Sequence, residues 1–292
     1  MKGMGCERGD AIFEPLIMGL FHKLFEKKEM ESKSEIPDDN PSQEEDWDFY
    51  FSNVDELIGS FYIDLGLAKI APLVDRPNLV WVSVNMNNPR EDGLSSNEEF
   101  NTLSAIEDRL QEFILCKHNS TYAGRLTTDG RRDFYFYMGD TTLYDKTISE
   151  SMVAFPNYTF DFGIKKDNQW EQYFNFMYPN PRQFQSIQNR RVIDNLEKNG
   201  DPLTKARQVD HWIYFKTDSD RTDLIKKIEP LKFDIVSGDE KTSFGDFPYQ
   251  LHISRIDKVD LDSIDDYVLD LWQFANECNG DYDGWETSVE KE

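Results

Sequence analysis

The sequence is poor in the residues that most chemistries need. It has three cysteines, Cys6, Cys116 and Cys278, far apart and in no CxxC or Cys/His pattern. That argues against a disulfide framework and a zinc site and for a reducing compartment, here the cytoplasm. Four histidines, His22, His118, His211 and His252, are scattered without the spacing of a metal-binding helix or strand. His211 and His252 fall on two expected strands, where partly buried structural histidines are the more ordinary outcome than a metal pair. There is no P-loop, nucleophile-elbow or dinucleotide-binding glycine pattern. Asp260-Leu261-Asp262 and Asp281-Tyr282-Asp283-Gly284 lack the ligand spacing of a calcium loop. No cofactor is expected, and no catalytic constellation is visible. No run of 18 apolar residues exists to span a membrane. Basic charge is scarce as well, 32 residues against 56 acidic ones, for a net charge of -24. Such a chain repels phosphate backbones, which disfavours direct nucleic-acid binding and favours a basic protein partner. The same excess also serves solubility.

What is present suffices for folding: 292 residues, 38% hydrophobic and 14% aromatic, a size that favours two domains. Residues 1–46 read as a short helix and a linker. Ile17, Leu20, Phe21, Leu24 and Phe25 share one helical face, and the phrase from Met18 to Phe25 resembles a cytosolic protein start, so Met18 is a candidate initiator. The acidic stretch 29–48 is too polar to bury.

The first domain is expected over 47–182. Trp47 to Phe51 and Ser60 to Asp64 read as strands, and Leu79 to Val84 as a central buried one. Ser95 and Ser96, followed by Glu98 and Glu99, have the spacing of a capping box. The helix they open carries Phe100, Leu103, Ile106, Leu110, Phe113 and Ile114. Asp129-Gly130 between two alternating runs predicts a tight hairpin. A helix over 141–154, with Leu143, Ile148 and Met152 inward, a strand over 158–165 and a further strand over 170–178 complete the domain. The second domain, 183–292, opens on a lead-in helix and repeats the rhythm strand, helix, strand, strand, helix, strand. Its second helix is expected to open at Ser263. Both domains thus read as α+β, each with a ferredoxin-like (split βαβ) antiparallel sheet.

Charge is unevenly placed in the second domain. Residues 187–259 hold 13 acidic and 13 basic side chains, whereas 260–292 hold 11 acidic and one basic. Asp262, Asp266 and Asp270 recur every four residues along the last helix, a like-charge spacing that costs helix stability. With Asp281, Asp283, Trp285 and Glu286 they form the expected docking surface for a basic, arginine-rich segment.

The segment Tyr282-Asp283-Gly284-Trp285-Glu286-Thr287 resembles the C-terminal signature of the regulator of ribonuclease E activity B (RraB) family, and the resemblance extends over 187–290. It implies a ferredoxin-like domain without catalytic activity that binds the endoribonuclease RNase E and inhibits its RNA cleavage. Read from the residues alone, Gly284 permits a bulge or a positive φ, and Tyr282 and Trp285 can pack on the helix. The first domain resembles domain-of-unknown-function family 695 in Trp47-Asp48-Phe49-Tyr50, Tyr122-Ala123-Gly124-Arg125, Phe134-Tyr135-Phe136-Tyr137 and Trp170-Glu171-Gln172-Tyr173. An alternative gives that domain an enzymatic or ligand-binding pocket around Arg125, Asp133, Tyr135 and His118, with the second domain regulating it.

Overall fold

The computed structural model describes residues 44–238 and 246–291. The expected N-terminal helix and most of the acidic stretch lie outside them. The chain divides into two compact units between Arg191 and Val192. Each is α+β with one antiparallel sheet. Among the described residues no helix is long and apolar enough to cross a membrane.

The N-terminal unit contains β1 (Trp47–Val54), β2 (Leu57–Asp64), β3 (Asn78–Asn85), α1 (Asn97–Lys117), β4 (Ser120–Thr128), β5 (Arg131–Met138), α2 (Tyr144–Met152) and β6 (Phe160–Lys166). The sheet order is β1-β2-β4-β5-β3-β6. Asp129 and Gly130 both take positive φ, 50° and 71°, as a primed hairpin turn requires. One face packs Val80, Val82, Val84, Phe134 and Phe136 on Leu103, Ile106, Leu110 and Ile114 of α1 and Ile148 and Met152 of α2. The other buries Tyr50, Phe61, Leu79, Tyr135 and Tyr137 under Trp170, Tyr173, Met177 and Ile187.

Three local expectations fail here, each for a physical reason. Trp170 to Tyr178 is not a strand: Gln172–Met177 is a π-helical turn. The buried Asp167 carboxylate accepts from the backbone N–H groups of Glu171 and Gln172 at 2.7 and 3.0 Å, and so winds the chain. The capping box does not form. Ser96 makes no side-chain cap, and Glu99 accepts instead from the backbone of Asn87 and Asn88 at 2.6 and 2.9 Å. Phe100 on α1 and Leu143 face solvent, 48% and 61% exposed, Leu143 because it precedes α2 in the left-handed region at φ +60°, while Glu107 is buried on the inner stripe of α1.

Helix α3 (Pro181–Lys198) precedes the C-terminal elements β7 (Arg207–Phe215), α4 (Asp218–Ile228), β8 (Asp234–Ser237), β9 (Tyr249–Asp257), α5 (Leu261–Glu277) and β10 (Gly280–Thr287). The sheet order is β10-β7-β9-β8. Apart from the added β1–β2 hairpin, both sheets place the second, third, first and fourth strands of their strand-helix-strand-strand-helix-strand run side by side. In the C-terminal unit Val209, Ile213, Phe215, Leu251 and Ile253 pack on Leu224 and Ile228 of α4 and on Ile264, Val268, Leu271 and Ala275 of α5. Each of these side chains larger than alanine contributes about 1.5–3 kcal/mol. Helix α5 opens one residue after Asp260, whose carboxylate caps the N–H of Ser263 at 3.1 Å, earlier than the expected start at Ser263.

Candidate functional site

The Tyr282 to Thr287 motif lies on β10 and is mostly turned inward. Pairing with β7 slips between Tyr282 and Gly284, leaving Asp283 as the extra residue of a β-bulge. Gly284 takes φ +138° there, a value that disfavours any side chain. Tyr282 and Trp285 are both buried in the helix-side core. The Tyr282 hydroxyl meets His211 Nδ1 at 2.8 Å. Thr287 Oγ1 donates to the Gln208 carbonyl at 2.6 Å. His211 is enclosed by Phe233, Tyr267 and Tyr282. Burial, then the nearby Arg255 and His252, lower its pKa to about 3, so it is neutral.

Cross-strand partners share a face of the sheet. Asp281 opposes Tyr214, Gly284 opposes Trp212 and Glu286 opposes Asp210. On the other side of β7, Trp212 opposes His252 and Asp210 opposes Ser254. These residues line the face away from α4 and α5, which carries no apolar cluster among the described residues. Trp212 and His252 stack at 4.6 Å and 16°. His252 Nε2 lies 2.8 Å from Asp210 Oδ1. Burial and then the Asp210 charge raise the Glu286 carboxyl, against the opposing effect of His252, and burial raises that of Asp281. The Tyr214 hydroxyl is pushed up to about 12 by burial and then by Asp283.

The expected docking residues therefore fall into three places. Asp281, Asp283 and Glu286 gather at the helix-free face or its bulge. Asp262, Asp266 and Asp270 are exposed on α5, in the opposite layer, with no cation paired to them among the described residues. Trp285 is 8% exposed and belongs to the core, because the bulge turns it under α5. Asp210, Trp212 and His252 were not expected at the site. Their signal was the outward half of the β7 alternation, where two aromatics stand among polar residues. His211 and His252 lie on opposite faces of the sheet, and no cluster of three metal-ligating side chains occurs among the described residues.

The four residues of the alternative N-terminal pocket do not meet. Arg125 sits on the helix side of β4, paired through Nη1 with both Glu107 oxygens at 2.6 Å and lying over the Tyr62 ring. Tyr122 donates to the same carboxylate at 2.9 Å. His118 bridges the Asp140 carbonyl and Thr147 Oγ1 at 3.2 and 3.0 Å. Asp133 and Tyr135 line a separate depression on the opposite face of the sheet.

The model of the Family of unknown function (DUF695) matches residues 45–178, and that of Regulator of ribonuclease activity B matches residues 186–287. No curated protein matches. Among solved structures, an unknown protein from Galdieria sulphuraria is 10% identical, over 73% of this chain and 99% of its own, with a TM-score of 0.21. A putative glycine cleavage system transcriptional repressor is 11% identical, over 72% and 98%, with a TM-score of 0.21. The chain thus carries in tandem a stretch similar to the DUF695 family, at residues 45–178, and a stretch similar to the regulator of ribonuclease activity B family, at residues 186–287.

Proposed function

We propose that the protein is a cytoplasmic, non-catalytic regulator that binds a ribonuclease of the RNase E type and lowers its cleavage of RNA. The match of residues 186–287 to the ribonuclease-regulator family carries this reading. The net charge of -24 supports binding to a basic segment of the enzyme rather than to its RNA.

The contact surface we infer is the helix-free face of the C-terminal sheet. An arginine arriving there meets carboxylates from Asp210, Asp281 and Glu286 beside the Trp212 ring, which rewards a planar cation twice. Glu286 and Asp281 are partly desolvated already and gain from an added cation. The α5 stripe Asp262, Asp266 and Asp270 supplies a salt-sensitive field that draws the partner in. Trp285 acts only as the packing beneath the strand.

The test mixes the full-length protein with RNase E and a labelled RNA, with binding followed separately. Cleavage is expected to slow as the regulator is added. Asp281→Lys with Glu286→Lys should weaken binding by about ten-fold or more. Reversing Asp262, Asp266 and Asp270 should instead slow association and flatten its salt dependence. Unchanged affinity in the first variant at low salt would remove the sheet face as the contact. Absence of both binding and inhibition by the unaltered protein would remove the ribonuclease.

A further inference from the structure

The sheet of the N-terminal unit leaves part of one face open. On the face opposite α1 and α2, β3 presents Leu79, Trp81, Ser83 and Asn85, flanked in register by β5 and β6. Beyond Leu79 the face is sealed by Trp170, stacked on Tyr137 at 3.8 Å, and by the turn that holds Gln172. The rest is a depression of about 590 Å³ lined by Trp81, Ser83, Asp133, Tyr135, Asp161 and Lys165 among others. That volume lies within the range of small-molecule sites.

The lining has a definite chemical pattern. Ser83 stands between Asp133 and Asp161, and Trp81 stands between Tyr135 and Gly163. Gly163 is needed there: a Cβ would come within 2.4 Å of the Trp81 ring, so the indole leans across β6 and widens the aromatic floor. Asp133 is 8% exposed, and its Oδ1 has no hydrogen-bond donor among the described residues. Its Oδ2 accepts from Arg131 Nε at 3.3 Å. Asp161 is exposed and, among the described residues, accepts only its neighbour's backbone N–H, from Phe162 at 2.8 Å. Lys165 reaches Gln172 Oε1 at 3.3 Å, which sets an ammonium and an amide at the rim.

We propose that this depression binds a neutral sugar, a mono- or disaccharide. Two carboxylates oppose an anion, and Arg131 and Lys165 oppose a free cation. An apolar ligand would cover Ser83 and the Asp161 carboxylate without replacing the hydrogen bonds they lose from water. A hydroxyl both donates and accepts, so one ring can give hydrogens to Asp133 and Asp161 and take them from Lys165 and Arg131. The C–H face of a pyranose complements the electron-rich face of Trp81. This site lies in the DUF695 domain and is independent of the ribonuclease reading.

The test uses the full-length protein and a panel of glucose, galactose, N-acetylglucosamine, maltose and cellobiose at millimolar concentration. It is read by saturation-transfer-difference NMR and tryptophan fluorescence, with lysine and inorganic phosphate as competing probes. Transfer to the ring protons of at least one sugar is expected, with affinity about ten-fold weaker in Trp81→Ala and in Asp161→Ala. Trp212→Ala should bind like the unaltered protein. Asp161 is exposed, so its variant stays informative if Trp81→Ala misfolds. Silence of the whole panel, binding of lysine or phosphate instead, or undiminished sugar binding in Asp161→Ala would each overturn the proposal.

Discussion

The two sheets share a strand order and differ in how much of their surface is covered. In the N-terminal unit both faces carry an apolar core, one under α1 and α2 and one under Trp170, Tyr173, Met177 and Ile187. In the C-terminal unit, among the described residues, only the α4 and α5 side does. A sheet face without a core keeps its side chains for other tasks. In the second unit that face carries carboxylates around a stacked Trp212–His252 pair. In the first, the polar end of β3, β5 and β6 lies outside both cores.

The units also solve one buried-polar problem in two ways. Each has a Tyr-x-Gly bulge, at Tyr122-Ala123-Gly124 and at Tyr282-Asp283-Gly284. Each tyrosine hydroxyl ends on a buried ionisable group. In the first unit it is Glu107, held by Arg125, with Arg132 Nη1 4.0 Å from its other oxygen. In the second it is His211, kept neutral by burial. The first arrangement depends on an ion pair, the second on the absence of a proton.

The largest test of this contrast is truncation of one tryptophan on each second face. Trp170→Ala should destabilise the N-terminal unit by roughly 3–5 kcal/mol, read from the urea midpoint, and Trp212→Ala should cost the C-terminal unit under about 1 kcal/mol. Equal losses would break the distinction between a covered and an open face. Glu107→Ala comes next. It strands Arg125 and Arg132 and should cost on the order of 3 kcal/mol, whereas Tyr122→Phe and Tyr282→Phe should each cost about 1 kcal/mol.

The pH dependence separates the two units further. The pKa of His211 falls from the usual 6.5 in the unfolded chain to about 3 in the fold. Its contribution is therefore fully present above 6.5 and is lost as pH drops toward 3. Between pH 7 and pH 5 the C-terminal unit should lose about 2 kcal/mol, and His211→Gln should flatten that slope. The Asp201 carboxyl, held at about 2 chiefly by its hydrogen bonds to Arg207, stays ionised throughout that window. The smallest effect is on the open face: Asp281→Lys with Glu286→Lys should shift stability by no more than about 0.5 kcal/mol while acting on partner binding.

Much of the architecture was legible because its signals are local. Asp129-Gly130 specifies its turn by φ alone, and the alternation of Val209, His211, Ile213 and Phe215 gives the inward side of β7. The segment from Trp170 to Tyr178 misled because aromatic residues favour strands only where they meet a sheet edge, and here Asp167 caps a turn first. Glu99 misled because its spacing from Ser96 suits a cap, yet two backbone N–H groups of the preceding loop compete for it. The candidate site was half legible. Charge counting found Asp262 to Glu286, but one dense run of carboxylates was divided by a helix-to-strand turn between the two layers of the fold. Asp210 and His252, distant in sequence, join it only through strand pairing.

The bulge at Asp283 has an arithmetic consequence. Along a regular strand, residues three apart point to opposite sides. The inserted residue changes odd to even, so Tyr282 and Trp285 enter the same core, just as Tyr122 and Arg125 both reach the α1 side across Ala123. Removing Asp283 would therefore leave Tyr282 and Trp285 two apart on a regular strand, both still facing the core, whereas a register that kept Asp283 but lost the bulge would drive the Glu286 carboxylate inward and the Trp285 indole into water.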